Sequence, residues 1–339
     1  MDAAVRKFEN ENVVIEVLDI PGSTSTFESN EDKADFLIKE GSGYAWVLDG
    51  ASALSESLIA DAPSDGRWYI ERFNHVLKEE IEKSDWNRDV EDILESVIKS
   101  VREAYENETG RSIEKLPNFQ TPSSTIHLVR WHFEKDELES YGLGDSAQLT
   151  GFADRTDYLN HGGPQRLDNK VFKAMRLIQN SHDGEEALEK LRSLGEEYSV
   201  ESDVEKLVRE SLGHEEVMKT DLVQEMLCQH RNMKNEEGGY WTLGFKLQAV
   251  EKGLKKSYKL SKIDSLALFT DGVDPVLHSY KLKNGEAYTS GEFLDEIGEY
   301  GVKEVFNKIV RYEENDSGCE NPVRFKKSDD KALVSVKFS

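Results

Sequence analysis

Apolar positions along the chain follow two periods. Alternation with β-branched residues predicts strands over 13–17 and 34–39. The turn Gly41-Ser42-Gly43 then leads into a further strand over 44–48, making a hairpin that ends on Asp49-Gly50. Ile70, Phe73, Leu77 and Ile81 recur at spacings of three and four, as do Ile93, Leu94, Val97, Ile98 and Val101, which predicts two helices. Asp89 or Asp92 supplies an acid for the first turn of the second. Strand pattern returns over 124–131, 138–141 and 147–149, with Gly142, Gly144 and Gly151 as strand-end turns, and again over 240–247, 265–269 and 332–338. A helix over 290–311 precedes the last strand, and the acidic run 313–316 reads as a loop.

Between 168 and 231 the character changes. This stretch is rich in Glu, Lys and Leu, has no Pro, and spaces its apolar residues for helix. It reads as a helical insertion lying on a β scaffold that resumes afterwards. Strands and helices cluster instead of alternating, so the pattern predicts an α+β sandwich, a single domain over 1–339 with 168–231 inserted within it.

Composition narrows the function. Hydrophobic residues are 37% and charged residues 32% of the chain, which suits a water-soluble globule. No run approaches the ~20 apolar residues that cross a bilayer, and residues 1–10 lack a signal peptide's layout, so a cytoplasmic protein without a membrane partner is expected. A net charge of −24 disfavours nucleic acid, whose phosphates it would repel. A phosphorylated protein is anionic too, so a site for one must be locally positive, most simply through metal ions. The two cysteines, Cys228 and Cys319, form no CxxC pair. The arginine a cysteine-nucleophile phosphatase needs six places after its cysteine is replaced by Lys234 and Phe325. A P-loop is absent. The histidines, among them His75, His127, His132 and His161, show no metal-ligand spacing and read as surface or strand residues; Trp46, Trp131 and Trp241 read as core.

Five acidic motifs recur at strand ends: Asn30-Glu31-Asp32, Leu48-Asp49-Gly50, Gly144-Asp145-Ser146, Thr270-Asp271-Gly272 and Ser328-Asp329-Asp330. A single Asp-Gly is ordinarily a turn. Carboxylates gathered at the end of a packed sheet repel one another, and a divalent cation removes that repulsion. Oxygen-only ligands select Mg²⁺ or Mn²⁺.

In this order, with Ser123-Ser124-Thr125 on a strand between the second and third, the motifs resemble those of the metal-dependent PPM (type 2C) protein phosphatases over residues 13–338. The resemblance implies a four-layer αββα sandwich that holds two Mn²⁺ or Mg²⁺ ions in a cleft at one end of the paired sheets. It implies that Asp49 bridges both ions, that Gly50 offers its carbonyl, that Asp271 and Asp329 bind the second ion and that Glu31 binds through water. Asp32 and Asp330 would orient this shell, and Asp145 matches the acid that in some members helps hold a weaker third ion. It implies hydrolysis of phosphoserine or phosphothreonine by a metal-activated water, with no protein nucleophile, and a monomer is favoured.

The chain departs from the family pattern in places. Phe27 stands where many members place a phosphate-gripping Arg, and Ala51 where some have His. Pro275 stands where a further Asp is common, with Asp274 one place early, and Asp330 replaces a usual Asn. A pseudophosphatase, keeping the fold as a binding or regulatory module, is therefore the competing reading. An aspartyl-phosphate hydrolase built on Asp271 would need an acid where Phe269 stands.

Overall fold

The computed structural model describes residues 4–54, 57–162, 228–280, 282, 286–316 and 327–339. Strands β1 (Arg6–Glu9), β2 (Val13–Ile20), β3 (Asp32–Lys39) and β4 (Ser42–Ala51) lead into helices α1 (Asp65–Lys83) and α2 (Val90–Thr109). Next come β5 (Ser123–His132), β6 (Glu137–Leu143), β7 (Ala147–Gly151) and β8 (Thr156–Asn160). Further along the chain follow β9 (Leu254–Lys259), β10 (Ser265–Phe269), α3 (Ser290–Asn315) and β11 (Lys331–Phe338). One sheet has the order β1-β2-β11-β10-β7-β8 and the other β3-β4-β5-β6-β9. Each pairing between these strands is antiparallel.

Period-two alternation explains why the strands read as nearly continuous apolar runs. On β4, Ala45 and Val47 face the other sheet while Tyr44, Trp46 and Leu48 face α1 and α2. On β10, Leu266 and Leu268 point inward while Ala267 and Phe269 pack under α3. Both faces of each sheet are thus covered, and the result is the four-layer αββα sandwich, an α+β fold. Capping is local: Ser64 accepts from the Arg67 N–H at the start of α1, and Thr289 with Glu292 forms a reciprocal capping box at the start of α3. Asp89 is the residue that precedes α2 and Asp92 lies in its first turn.

Three sequence expectations are corrected. Residues 240–247 form only isolated bridges among the described residues, because Tyr240 bonds back to residues 233–235 and Leu243 bonds Ser124 near the start of β5 instead of the segment joining a sheet. Trp241 accordingly lies outside any strand and is only partly buried. The strand that fills the sheet edge is β9, whose five-fold lysine-rich neighbourhood masks its alternation. The run at 313–316 is mostly helical, since α3 continues to Asn315 and buries Glu313. The expected helical insertion over 168–231 falls outside the described residues except for 228–231, which are helical. Among the described residues no helix is long and apolar enough to cross a membrane.

Candidate metal centre

Antiparallel register gathers the acidic motifs. In the first sheet Phe269, the last residue of β10, pairs with Ala147 at the start of β7 and with Leu333 near the start of β11. Asp271, Asp145 and Asp329-Asp330 therefore emerge at one end. In the second sheet Asp32, opening β3, pairs directly with Asp49 near the end of β4, and Asp49 with Thr125 near the start of β5. The sheets meet at that end through the Thr125 and Ser146 hydroxyls, 2.5 Å apart.

Like charges directly opposite on a ladder are unfavourable, and the electrostatics here carry that signature. Burial raises the Asp49 carboxyl well above the usual carboxylate range, and the charges of Asp271, Asp32, Asp145 and Asp329 raise it further. Burial raises Asp32 likewise, followed by the charge of Asp330, with a Thr270 hydrogen bond opposing and Asp271 and Asp329 adding. Asp32 Oδ2 is buried without a hydrogen-bond partner. A buried carboxylate oxygen without a donor, amid four more carboxylates, fits a hard cation. Among the described residues no three His, Cys, Asp or Glu side chains stand preassembled around a single metal position. Mg²⁺ and Mn²⁺ keep much of their shell as water, so a gathered but open carboxylate set suits them better than a closed cage.

Glu31 takes a different place from the aspartates. The hydroxyls of Ser52 and Ser64 and the Ser52 N–H all donate to its carboxylate, which ties it to the start of α1. Gly50 donates its N–H to the Glu31 carbonyl at 2.9 Å. A Cβ at Gly50 would lie 2.5 Å from that oxygen and 2.6 Å from Ile70 Cγ1, so glycine is required by close approach. Asp330 is a strut: its Oδ1 accepts from the Gly22 N–H at 2.7 Å and its Oδ2 from the Glu31 N–H at 2.9 Å. It fastens the β2–β3 loop to the start of β11. Asp274 is buried, receives the Tyr158 hydroxyl at 2.8 Å and pairs with His278 at 3.2 Å.

Side chains that carry no motif hold the Asp145 turn. Asn160 donates to the Asp145 carbonyl at 2.9 Å, and the Gly144 N–H reaches His161 Nδ1 at 3.4 Å. His127 Nδ1 faces the Ser146 carbonyl at 3.2 Å and must donate to it. Burial pushes that imidazole down to about 4, so it is neutral at pH 7. His127 and His161 read in sequence as isolated histidines, because their partners are backbone groups and, for His127, the Ser140 hydroxyl at 3.0 Å, none of which leaves a metal-ligand spacing to find. Thr270 extends the β10–β11 pairing by accepting from the Ala332 N–H at 2.9 Å, and so aims Asp271.

An αββα sandwich with an aspartate cluster at one end of its sheets is the class of protein these features define. By sequence, no protein-family model matches the chain, nor does any curated protein. Among solved structures it is similar to the serine/threonine phosphatase of S. agalactiae, at 13% identity and a TM-score of 0.49, covering 96% of this chain and 100% of that one. It is similar also to the Mycobacterium tuberculosis serine/threonine phosphatase PstP/Ppp, at 12% identity and 0.45, covering 96% and 98%. A third likeness is to RsbX in complex with magnesium, at 11% identity and 0.45, covering 99% and 100%. At these identities the likeness is one of fold.

Proposed function

We propose that the chain is a metal-dependent protein phosphatase that hydrolyses phosphoserine or phosphothreonine on proteins. The observation that carries this reading is the register pairing of Asp32 with Asp49, together with the raised Asp49 carboxyl among Asp271, Asp145 and Asp329. Two divalent ions bound there would acidify a water and offset phosphoryl charge. Asp49, Asp271 and Asp329 would hold them, with Asp145 toward a weaker third and the Gly50 carbonyl beside Asp49. Asp32 and Asp330 would keep those groups aimed, and Glu31 would contribute only through water, its carboxylate being already taken up by Ser52 and Ser64. Substrate would approach past the 21–31 loop, where Phe27 is 52% exposed and offers a phosphate no charge. We read the protein as a monomer of the cytoplasm that binds neither nucleic acid nor membrane.

The competing reading, a pseudophosphatase acting through binding, is favoured by that same Phe27. Hydrolysis of an aryl phosphate by the purified chain, abolished by EDTA and restored by Mn²⁺ or Mg²⁺, is the expected result. Turnover that survives exhaustive chelation refutes the metal mechanism. Mn²⁺ binding without turnover on aryl phosphates or phosphopeptides leaves the pseudophosphatase.

A further inference from the structure

Lys331 opens β11 and is fully buried, at 0% exposure. Its ammonium donates to the Asp329 carbonyl at 2.7 Å and to Ser328 Oγ at 2.9 Å. It also faces Glu313 Oε2 at 3.0 Å, a charge contact without hydrogen-bond alignment. Glu313, near the end of α3, is itself buried, and its Oε1 accepts from the Tyr280 hydroxyl at 2.8 Å. Tyr280 in turn stacks on Tyr312 with ring centres 4.7 Å apart. One buried ion pair thus joins α3, the segment that follows the Asp271 motif and the loop that carries Asp329.

Stability does not account for such a pair. Removing two charges from water costs about what their attraction returns, and apolar residues of the same shape commonly serve as well or better. What an apolar residue at 331 could not do is hold the Asp329 carbonyl. The Asp330 N–H already engages Asp329 Oδ1 at 2.8 Å, so with the carbonyl fixed as well the Asp329 residue has little freedom left. The Lys331 stem also lies against the Asp271 turn, 3.0 Å from where a Cβ on Gly272 would stand. Both acidic loops of the first sheet therefore rest on the same lysine.

We propose that the Lys331–Glu313 pair is a positioning device for the metal centre: it fixes the backbone under Asp329 so that the carboxylates meet an incoming divalent ion already in place. This rests on the metal reading above. Lys331 and Glu313 touch neither substrate nor ion.

The test is calorimetric titration of the full chain with Mn²⁺, beside thermal unfolding in EDTA. Lys331→Met combined with Glu313→Gln removes both charges and keeps the shapes. That variant should unfold near the wild-type temperature yet bind Mn²⁺ about 10- to 100-fold more weakly, as loss of an outer partner does in other metal sites. Tyr280→Phe, which deletes the far hydrogen bond to Glu313, should weaken Mn²⁺ several-fold and serves alone if the double variant does not fold. Wild-type Mn²⁺ affinity in a folded variant overturns the inference while leaving the metal reading intact. A wild-type chain that binds no Mn²⁺ overturns both.

Discussion

Asp49→Asn should stabilise the metal-free chain and at the same time abolish its response to metal. Asp49 faces Asp32 across the β3–β4 ladder and also feels Asp271, Asp145 and Asp329. Two carboxylates ~6 Å apart at an effective dielectric of ~20 repel by ~3 kcal/mol when both are ionised. Protonation relieves part of that, because the Asp49 carboxyl is raised. A carboxyl raised on folding favours the folded state most at low pH, and that contribution is lost as pH rises through the folded value. Above the ordinary carboxylate range the metal-free chain therefore bears either the repulsion or the cost of holding the Asp49 carboxyl protonated, and about 1–2 kcal/mol is recovered by the neutral amide. For 339 residues that is a rise of roughly 1–3 °C in Tm. Mn²⁺ at a hundred times its Kd adds ~2.7 kcal/mol to a chain that binds it, so in Mn²⁺ the order reverses and wild type unfolds above the variant. Differential scanning calorimetry at pH 7.5 and pH 5.5, in EDTA and in Mn²⁺, reads all four states. The gain from the substitution should shrink at the lower pH. A variant destabilised in EDTA, with an unchanged Mn²⁺ shift, would refute the cluster as a cation site.

Two further outcomes are expected. Phe27→Arg offers the substrate phosphate paired charge-assisted hydrogen bonds, worth a net ~1.4 kcal/mol or more, so kcat/KM for aryl phosphate should rise about tenfold or more; an unchanged value, with no other Lys or Arg whose removal lowers it, means the phosphate sits elsewhere. Gly272→Ala puts a Cβ 2.0 Å from the Asp330 carbonyl oxygen, forcing the Asp271 and Asp329 loops apart, so Mn²⁺ affinity measured by calorimetry should fall at least tenfold; wild-type affinity would show the loops are not constrained by that contact.

The sandwich was legible because its strands alternate two apolar faces. Tyr44, Trp46 and Leu48 against Ala45 and Val47 already imply cover on both sides of a sheet. The gathering of Asp49, Asp145, Asp271 and Asp329 was legible as motif order, and antiparallel register is its physical form. Other features were hidden for identifiable reasons. The segment 240–247 has strand composition but spends its backbone groups on residues 233–235 and on Ser124 near the start of β5, and composition does not reveal partners. Glu313 looked like a solvated acid because the lysine that allows its burial is eighteen residues on, in a different element. Lys331 begins β11 but falls one residue before the strand predicted over 332–338. Glu31 shares a motif with Asp32, yet neighbouring residues on an extended chain point to opposite sides, and one carboxylate went to α1 while the other went to the cluster.

The placement of β11 between β2 and β10 bears on how the chain is made. The strut from Gly22 to Asp330 spans 308 residues, and β2 finds its central partner only across that distance. At ~5–20 residues per second of synthesis, β2 waits some 15–60 s with an unpaired apolar edge. Contacts of such separation also slow folding after release. The second sheet is spared this, since β3, β4, β5 and β6 are sequential neighbours. A nascent chain can thus assemble the half bearing Asp32 and Asp49 early, and it acquires the other half of its acidic centre only when its last strand arrives.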